Sequence, residues 1–436
     1  MKIAVIGMGK IGLPLAVQYA RKGHDVIGVD INSNTVNLIN KGLEPFPEEA
    51  QLQEYLYEVI QSQHLRATLS YEEAVSDADV TVVVVPLFVN EHAEPDFTTI
   101  DSATKNIGKN LKKNSLVCYE TTLPIGTTRK RLTPSLEQES HLKVGKDFAV
   151  VFSPERVFTG RIFQDLRKYP KIVGGITENC TQRGVAFYEK VLDFDERKDL
   201  TKPNGVWKVA STESAEFTKL AETTYRDVNI ALANQFAIHA DELGVNIYEI
   251  IEAANSQKYS NIHQPGISVG GHCIPVYPRF YLWNDEKATL VKNSRIINEE
   301  MPSYVIKKIV NKIGNIKELN FLILGISYRE NVKESAFSGI FDLVKELTKQ
   351  GAKMFAMDPL YSENEIIELN LNPFKDNFGQ IDVIILHTSL KDFATLNFEK
   401  FPNCKLIYDG RNFYASENIE LKKSIMTLGR GEINGN

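Results

Sequence analysis

Lys2-Ile3-Ala4-Val5-Ile6-Gly7-Met8-Gly9-Lys10-Ile11-Gly12 opens the chain and decides how the first part folds. Lys2–Ile6 is a short apolar run and reads as a strand, and Leu13–Lys22, beyond the glycines, reads as a helix. Between them Gly7 makes the tight turn, Gly9 lets the backbone approach a pyrophosphate, and Gly12 permits close helix–strand packing. The helix N-terminus supplies N–H donors and a positive dipole end. The next strand, Asp25–Val29, ends in Asp30, where an acidic side chain accepts from an adenosine ribose hydroxyl. A carboxylate there repels a 2′-phosphate, so NAD is expected rather than NADP. Gly7, Met8, Gly9, Lys10, Ile11, Gly12 and Asp30 are therefore candidate cofactor contacts. A glycine fingerprint alone is weak; strand, fingerprint, helix, strand and acid in that order are specific.

The pattern repeats downstream. Val80–Val85 is a continuous β-branched run, as in a strand covered on both faces, and Pro86 ends it. Leu116–Glu120 precedes a loop containing Thr122, and Phe148–Phe152 precedes one containing Glu155 and Arg156. Ligands of doubly wound sheets bind beyond strand C-termini, so Pro86, Thr122 and Glu155 are placed to face cofactor and substrate. Read singly, Thr122 is a capping threonine and Glu155 a solvated loop acid.

From Asn204 to Gly244 the spacing predicts a long helix, with Ser211, Thr212 and Glu213 offering caps and Gly244 a stop. Its small residues over 231–240 suit close packing against a second subunit. Lys219 and Thr223 share a face, with Arg226 on nearly the same stripe. A lysine among apolar neighbours can serve as a base or oxyanion partner, though alone it reads as a solvated helix lysine. A second α/β unit begins at Phe321–Leu324, followed by Gly325-Ile326-Ser327-Tyr328-Arg329, a helix over 338–349, and strands Lys353–Ala356, Ile381–His387 and Leu406–Tyr408. It lacks the full fingerprint, so it holds a nucleotide-like ligand differently. Arg329, Lys333 and Arg411 lie near strand ends and suit a pyrophosphate. The linker is expected near 311–318.

With 436 residues the chain exceeds one ordinary core. The expected division is a nucleotide-binding domain over 1–200, a helical central domain over 201–310 and a second nucleotide-type domain over 311–436. A net charge of -6 argues against a nucleic-acid or anionic-membrane partner. No run reaches membrane-spanning length, and the N-terminus leads straight into a strand pattern without a leader. Cys118, Cys180, Cys273 and Cys404 form no metal pattern and suggest reduced thiols in a cytoplasm.

Cys273 stands apart in Gly270-Gly271-His272-Cys273-Ile274-Pro275-Val276-Tyr277-Pro278. Two glycines before it allow close approach to a ligand, and two prolines after it stiffen the chain. Such a thiol is presented rather than packed, although a free cysteine in a Gly/Pro turn is also often a small hydrophobe.

The two half-units, the long helix and Gly270–Pro278 together resemble the UDP-glucose/GDP-mannose dehydrogenase family, over essentially the whole chain. The resemblance implies two Rossmann-like doubly wound parallel-sheet domains joined by a long central helix and helical middle domain. It also implies homodimers through that helix. It implies oxidation of a nucleotide sugar at C6 from alcohol to carboxylate with two NAD. Cys273 would form a thiohemiacetal and then a thioester. Lys219 would stabilise the oxyanion or take a proton. Thr122 and Glu155 would hold water and take part in proton transfer, and the third domain would bind UDP. Three positions depart from the family: Thr223 replaces an asparagine, Tyr277 an aspartate and Ala336 an arginine. The first two touch how water and the cysteine are activated.

Glu155-Arg156-Val157 with Gly160-Arg161, Tyr225–Asn229, and the segment from Asn255 to Gly266 resemble the branch acting on UDP-N-acetylhexosamines. Arg156, Arg161 or Arg226 could hold the N-acetyl or carboxylate end, and Asn255, Gly266, Gly270 and Tyr328 join the candidate substrate contacts. UDP-glucose is the nearest competing substrate. Two other readings remain: a two-electron β-hydroxyacid dehydrogenase, which needs neither Cys273 nor a third domain, and a non-catalytic protein binding NAD and UDP.

Overall fold

The computed structural model describes residues 1–46, 49–416 and 424–431. The chain divides into two compact units, one of Met1–Glu222 with Arg279–Asp285 and the other of Thr223–Pro278 with Glu286–Asn436.

In the first unit the strands are β1 (Lys2–Ile6), β2 (Asp25–Val29), β3 (Leu65–Thr68) and β4 (Val80–Val83), a small hairpin of β5 (Phe88–Val89) and β6 (Pro95–Asp96), then β7 (Leu116–Tyr119), β8 (Ala149–Phe152), β9 (Lys171–Gly175) and β10 (Val206–Lys208). The main sheet runs β10-β9-β8-β7-β4-β1-β2-β3. β4, β7 and β8 are buried along their whole length, which explains why they read as unbroken apolar runs. The strands from β3 to β8 pair in parallel, whereas β9 reverses against β8.

In the second unit β11 (Asn320–Leu324), β12 (Lys353–Met357), β13 (Val383–Leu386), β14 (Leu406–Asp409) and β15 (Ile425–Thr427) form a sheet in the order β12-β11-β13-β14-β15, every pair parallel. Alternation along its strands feeds two cores. Phe321, Ile323, Val383 and Ile385 join one cluster, and their neighbours Leu322, Leu324, Ile384 and Leu386 join the other. The doubly wound α/β character expected from the sequence is thus present in both units.

Two expectations are corrected. The long helix covers Thr212–Leu243, not 204–244, because Val206–Lys208 pairs with β9 as a sheet edge. Ser211 Oγ accepts from the Ser214 N–H, and Gly244 closes the other end at φ +70°. Residues of this helix up to Glu222 count with the first unit and those from Thr223 with the second. The stretch expected as a linker is partly helical: Thr289–Ile313 continues to Gly314, its buried Val305, Ile306 and Ile309 extending the apolar stripe.

The same clasp is built at the start of each sheet. Gly7 N donates to Val29 O at 2.8 Å and Met8 N to Asp30 Oδ2 at 2.9 Å. Gly325 N donates to Met357 O at 2.9 Å and Ile326 N to Asp358 Oδ2 at 2.7 Å. Both carboxylates also accept from the N–H two residues on, Asn32 and Leu360; Asp358 adds Ser327 N and is 3% exposed, whereas Asp30 stays half-buried. Both aspartates therefore hold backbone, and the less buried Asp30 keeps a face for a ligand. Asp358→Ala strands buried donors and is expected to cost about 3 kcal/mol in denaturant unfolding. Asp30→Ala is expected to cost less than half of that.

Candidate active site

The glycine loop after β1 is shaped for close approach. A Cβ on Gly12 would meet the Gly7 carbonyl oxygen at 1.8 Å, so helix Gly12–Arg21 sits where only glycine fits. A Cβ on Gly9 would meet nothing within 4 Å, which leaves open space over the loop. With Asp30 partly exposed at the end of β2, these residues fit a dinucleotide, its pyrophosphate at the helix N-terminus and its ribose on the carboxylate. Lys10 and Ile11 are half-buried in the same loop, and Met8 is buried beneath it. Pro86 is exposed beyond β4.

Thr122 sits buried in the loop after β7, and that loop is firmly held. Thr121 Oγ1 donates to Val85 O at 2.6 Å. Glu216, buried on the long helix, accepts from Gly126 N at 2.5 Å, Thr128 N at 2.8 Å and Thr128 Oγ1 at 2.7 Å. Asn284 bonds both Ile125 N and Ile125 O.

Two strings of charge meet at consecutive residues. The Glu155 carboxylate lies 2.7 Å from Lys171 Nζ, which also bonds Glu120 at 2.7 Å. Burial opposes charge on Glu155, yet the Lys171 ammonium holds its carboxyl below the ordinary value. Arg156, the next residue, pairs with Glu222 at 2.8 Å, and Glu222 reaches Lys219 Nζ at 3.3 Å. The Lys219 side chain is 10% exposed, so it is no solvated helix lysine. Arg156 is thus engaged by Glu222. Arg161 stays outside both strings, half-exposed, paired with Asp165 at 3.1 Å and stacked near the Phe158 ring.

The second unit carries Cys273, the one exposed thiol among the described residues. Its carbonyl accepts from Tyr277 N at 2.9 Å, so the cysteine stands at the head of helix Tyr277–Asn284. The loop before it is pressed onto the segment after β11. A Cβ on Gly270 would meet Tyr328 Cβ at 2.5 Å and Phe337 O at 2.8 Å, and Gly271, at φ +90°, faces the Tyr328 ring at 2.9 Å. Gly271 N donates to Ala336 O, and Ile267 N to Gly410 O. Arg411 lies under this loop: its Nε donates to His387 O at 2.8 Å, and its NH1 occupies the space a Gly266 Cβ would need. Burial lowers Arg411 to about 10. Ser268 Oγ bonds buried His387 at 3.0 Å, and burial lowers that imidazole to about 3.

Gly266, Gly270, Tyr328 and Arg411 are thereby brought together around the thiol's loop. Asn255 bonds Ile262 N and Ile262 O reciprocally, closing the loop between them. Thr223 is buried and Arg226 exposed on the long helix. Lys333 pairs with Glu365, and Arg329 lies 5.9 Å from the Tyr328 ring.

Family models match the chain in sequence: the NAD binding domain of the UDP-glucose/GDP-mannose dehydrogenase family at residues 1–192, its central domain at 213–300 and its UDP binding domain at 322–416. A UDP-N-acetyl-D-mannosamine dehydrogenase of Campylobacter jejuni is 33% identical over 92% of this chain and 98% of its own length. The chain belongs to the UDP-glucose/GDP-mannose dehydrogenase family. An NDP-N-acetyl-D-galactosaminuronic acid dehydrogenase of Ralstonia solanacearum is 31% identical over 96% of this chain and 97% of its own. The solved structure of a UDP-D-ManNAc dehydrogenase from Pyrococcus horikoshii superposes with a TM-score of 0.85 at 31% identity, covering 99% of this chain and all of the other.

As an NAD-dependent nucleotide-sugar dehydrogenase of this family, the chain is an oxidoreductase, and the glycine loop with Asp30 fits NAD. Among the described residues no helix is long and apolar enough to cross a membrane. Sequence reading missed Lys171, Glu120, Glu222, Glu216, Ser268 and His387. Glu120 had a signal, since it closes a strand pattern beside Thr122; Lys171 had none, because nothing in the sequence announces that β9 runs backwards.

Two substitutions test this geometry. Asp30→Ala is expected to raise KM for NAD by tenfold or more, a charged hydrogen bond contributing about 1.5–3 kcal/mol, and to narrow the preference over NADP. Glu222→Gln loosens both Arg156 and Lys219. It is expected to lower kcat by roughly tenfold, about 1.4 kcal/mol of barrier, while KM for NAD and the melting temperature hold.

Proposed function

We propose that the chain oxidises C6 of a UDP-N-acetylhexosamine to the uronic acid, in four electrons, for polysaccharide precursor synthesis. The observation that carries this reading is the presentation of Cys273. It is exposed while Cys118, Cys180 and Cys404 are buried, and its loop is fitted onto the Tyr328 segment of the unit matched by the UDP binding domain model. The relatives named for UDP-N-acetyl-D-mannosamine and NDP-N-acetyl-D-galactosaminuronic acid support the hexosamine class.

NAD, when bound, accepts hydride, and two equivalents are consumed per sugar. The C6 alcohol loses a hydride and a proton to give an aldehyde. The Cys273 thiolate adds to that carbonyl, and the thiohemiacetal keeps the aldehyde from escaping. Loss of a second hydride gives a thioester, which water cleaves to carboxylate and free thiol. Lys219 supplies the cation that steadies the adduct oxygen. Glu155 takes protons, with Thr122 holding the water. Thr223 and Tyr277 stand where the family has asparagine and aspartate. Thr223 is buried in the helix and Tyr277 opens the helix behind Cys273, so both can orient groups without supplying a charge.

Residues 1–200 serve as the NAD domain, 201–310 as the central domain and 311–436 as the UDP-sugar domain. The homodimer is assigned to the long helix, where Tyr225, Leu232, Phe236 and Leu243 leave a stripe of exposed apolar side chains. A cytoplasmic setting fits the free thiols.

A panel of UDP-sugars with NAD reduction as readout tests this. Two NADH per sugar are expected with a UDP-N-acetylhexosamine, and Cys273→Ser is expected to lose carboxylate formation by roughly a hundredfold or more. One NADH with released aldehyde, or a fully active serine variant, would refute the thioester route.

A further inference from the structure

Glu155, assigned above as a proton acceptor, points into the protein, and what lies behind it follows from strand direction. β9 is antiparallel to β8, with Val151 opposite Gly175 and Phe152 opposite Gly174. Continued beyond the ladder, that register sets Glu155 opposite Lys171. β7 is parallel to β8, with Tyr119 opposite Phe152, so Glu120 follows one strand further on, and its carbonyl accepts from Glu155 N at 3.4 Å. Three charged side chains from three adjacent strands converge at one end of the sheet.

Lys171 Nζ lies 2.7 Å from Glu120 Oε2 and 2.7 Å from Glu155 Oε2, with its side chain 4% exposed and that of Glu120 fully buried. The other Glu120 oxygen accepts from Tyr188 at 2.8 Å and Tyr19 at 3.3 Å. The Tyr188 ring lies 4.8 Å from the ammonium. The other Glu155 oxygen accepts from the Arg156 backbone N–H at 2.8 Å, while the Arg156 guanidinium is engaged by Glu222. Cys118 is buried beside Glu120, with Arg183 further off.

We propose that Lys171 and Glu120 are positioning residues for Glu155: the ammonium keeps Glu155 ionised and fixes its direction, and Glu120 is the carboxylate that takes up a proton when the cluster gains one. The inference rests on the catalytic reading of Glu155. One ammonium cannot fully neutralise two carboxylates at contact distance, so one of them gives way. Glu120 is the more deeply buried, and phenol hydroxyls can donate to its carboxylate or accept from its acid form. Burial raises Glu120 to about 7, against the pull of Lys171, whereas Glu155 is held low.

The pH profile of kcat/KM separates this from scaffolding. Lys171→Met leaves two carboxylates without a cation and is expected to raise the acid limb by about one pH unit or more. Glu120→Gln fixes the neutral form that the cluster already holds when Glu155 takes its proton, so its acid limb stays near the native one. Lys171→Arg keeps the charge and also stays near the native profile. An unmoved limb in Lys171→Met, or a limb that rises in Glu120→Gln, overturns the proposal. If Lys171→Met does not fold, the infrared spectra of the nearly isosteric Glu120→Gln decide. Infrared pH-difference spectra of the protein read the cluster without turnover. Two buried carboxylic-acid bands titrating near 7 are expected, from Glu120 and from Glu216; Glu120→Gln loses one and keeps the other, and a spectrum there that keeps both overturns the assignment. A chain that oxidises no UDP-sugar defeats the functional reading, and those spectra still judge this one.

Discussion

Lys171 is an ammonium ion almost out of water's reach, and it is tolerated there because two carboxylates lie within 2.7 Å of it. An unpaired buried charge costs several kcal/mol, and breaking a buried pair by removing one partner is far worse than never having built it. The ends of β7, β8 and β9 are therefore tied together electrostatically as well as by the ladder. The tie passes along the chain from Glu155 to Arg156 and on through Glu222 to Lys219. Groups that the sequence scatters over a hundred residues thus form one connected arrangement on the first unit. Its existence depends on the reversal of β9: a parallel strand there would carry its first residue to the opposite end of the sheet.

A second economy is the clasp that both sheets use. Each begins with a strand, a glycine whose N–H bonds the neighbouring strand, and a following N–H that bonds an aspartate closing that neighbour. The copies have diverged in what the aspartate does. Asp358 adds one further backbone donor, Ser327 N, and is sealed, while Asp30 stays half-buried. The same local geometry therefore leaves a carboxylate face that fits a cofactor in one unit and closes it over in the other.

Much of the fold was legible because strands covered on both faces read as unbroken β-branched runs, and Lys2–Ile6 and Asp25–Val29 fall where their pattern placed them. Val206–Lys208 was not legible: three residues carry no usable periodicity, and the helical pattern was read from Asn204 onward. The stretch expected as a linker begins inside Thr289–Ile313, whose buried Val305, Ile306 and Ile309 carry the helix on to Gly314. At the candidate site Cys273, Gly270 and Gly271 stood out by composition. Tyr328 and Arg411 were singled out as ligand contacts, but that they and His387 brace this loop shows only in the tertiary fold.

The seat of Gly270 and Gly271 against Tyr328 has a consequence for descent and for engineering. Segments some sixty residues apart share one surface without slack, so neither is free to drift alone. A lineage that acquires a side chain at 270 must shrink or shift residue 328 in step. Transplanting the reactive cysteine into another scaffold would likewise require carrying its tyrosine-bearing partner loop along with it.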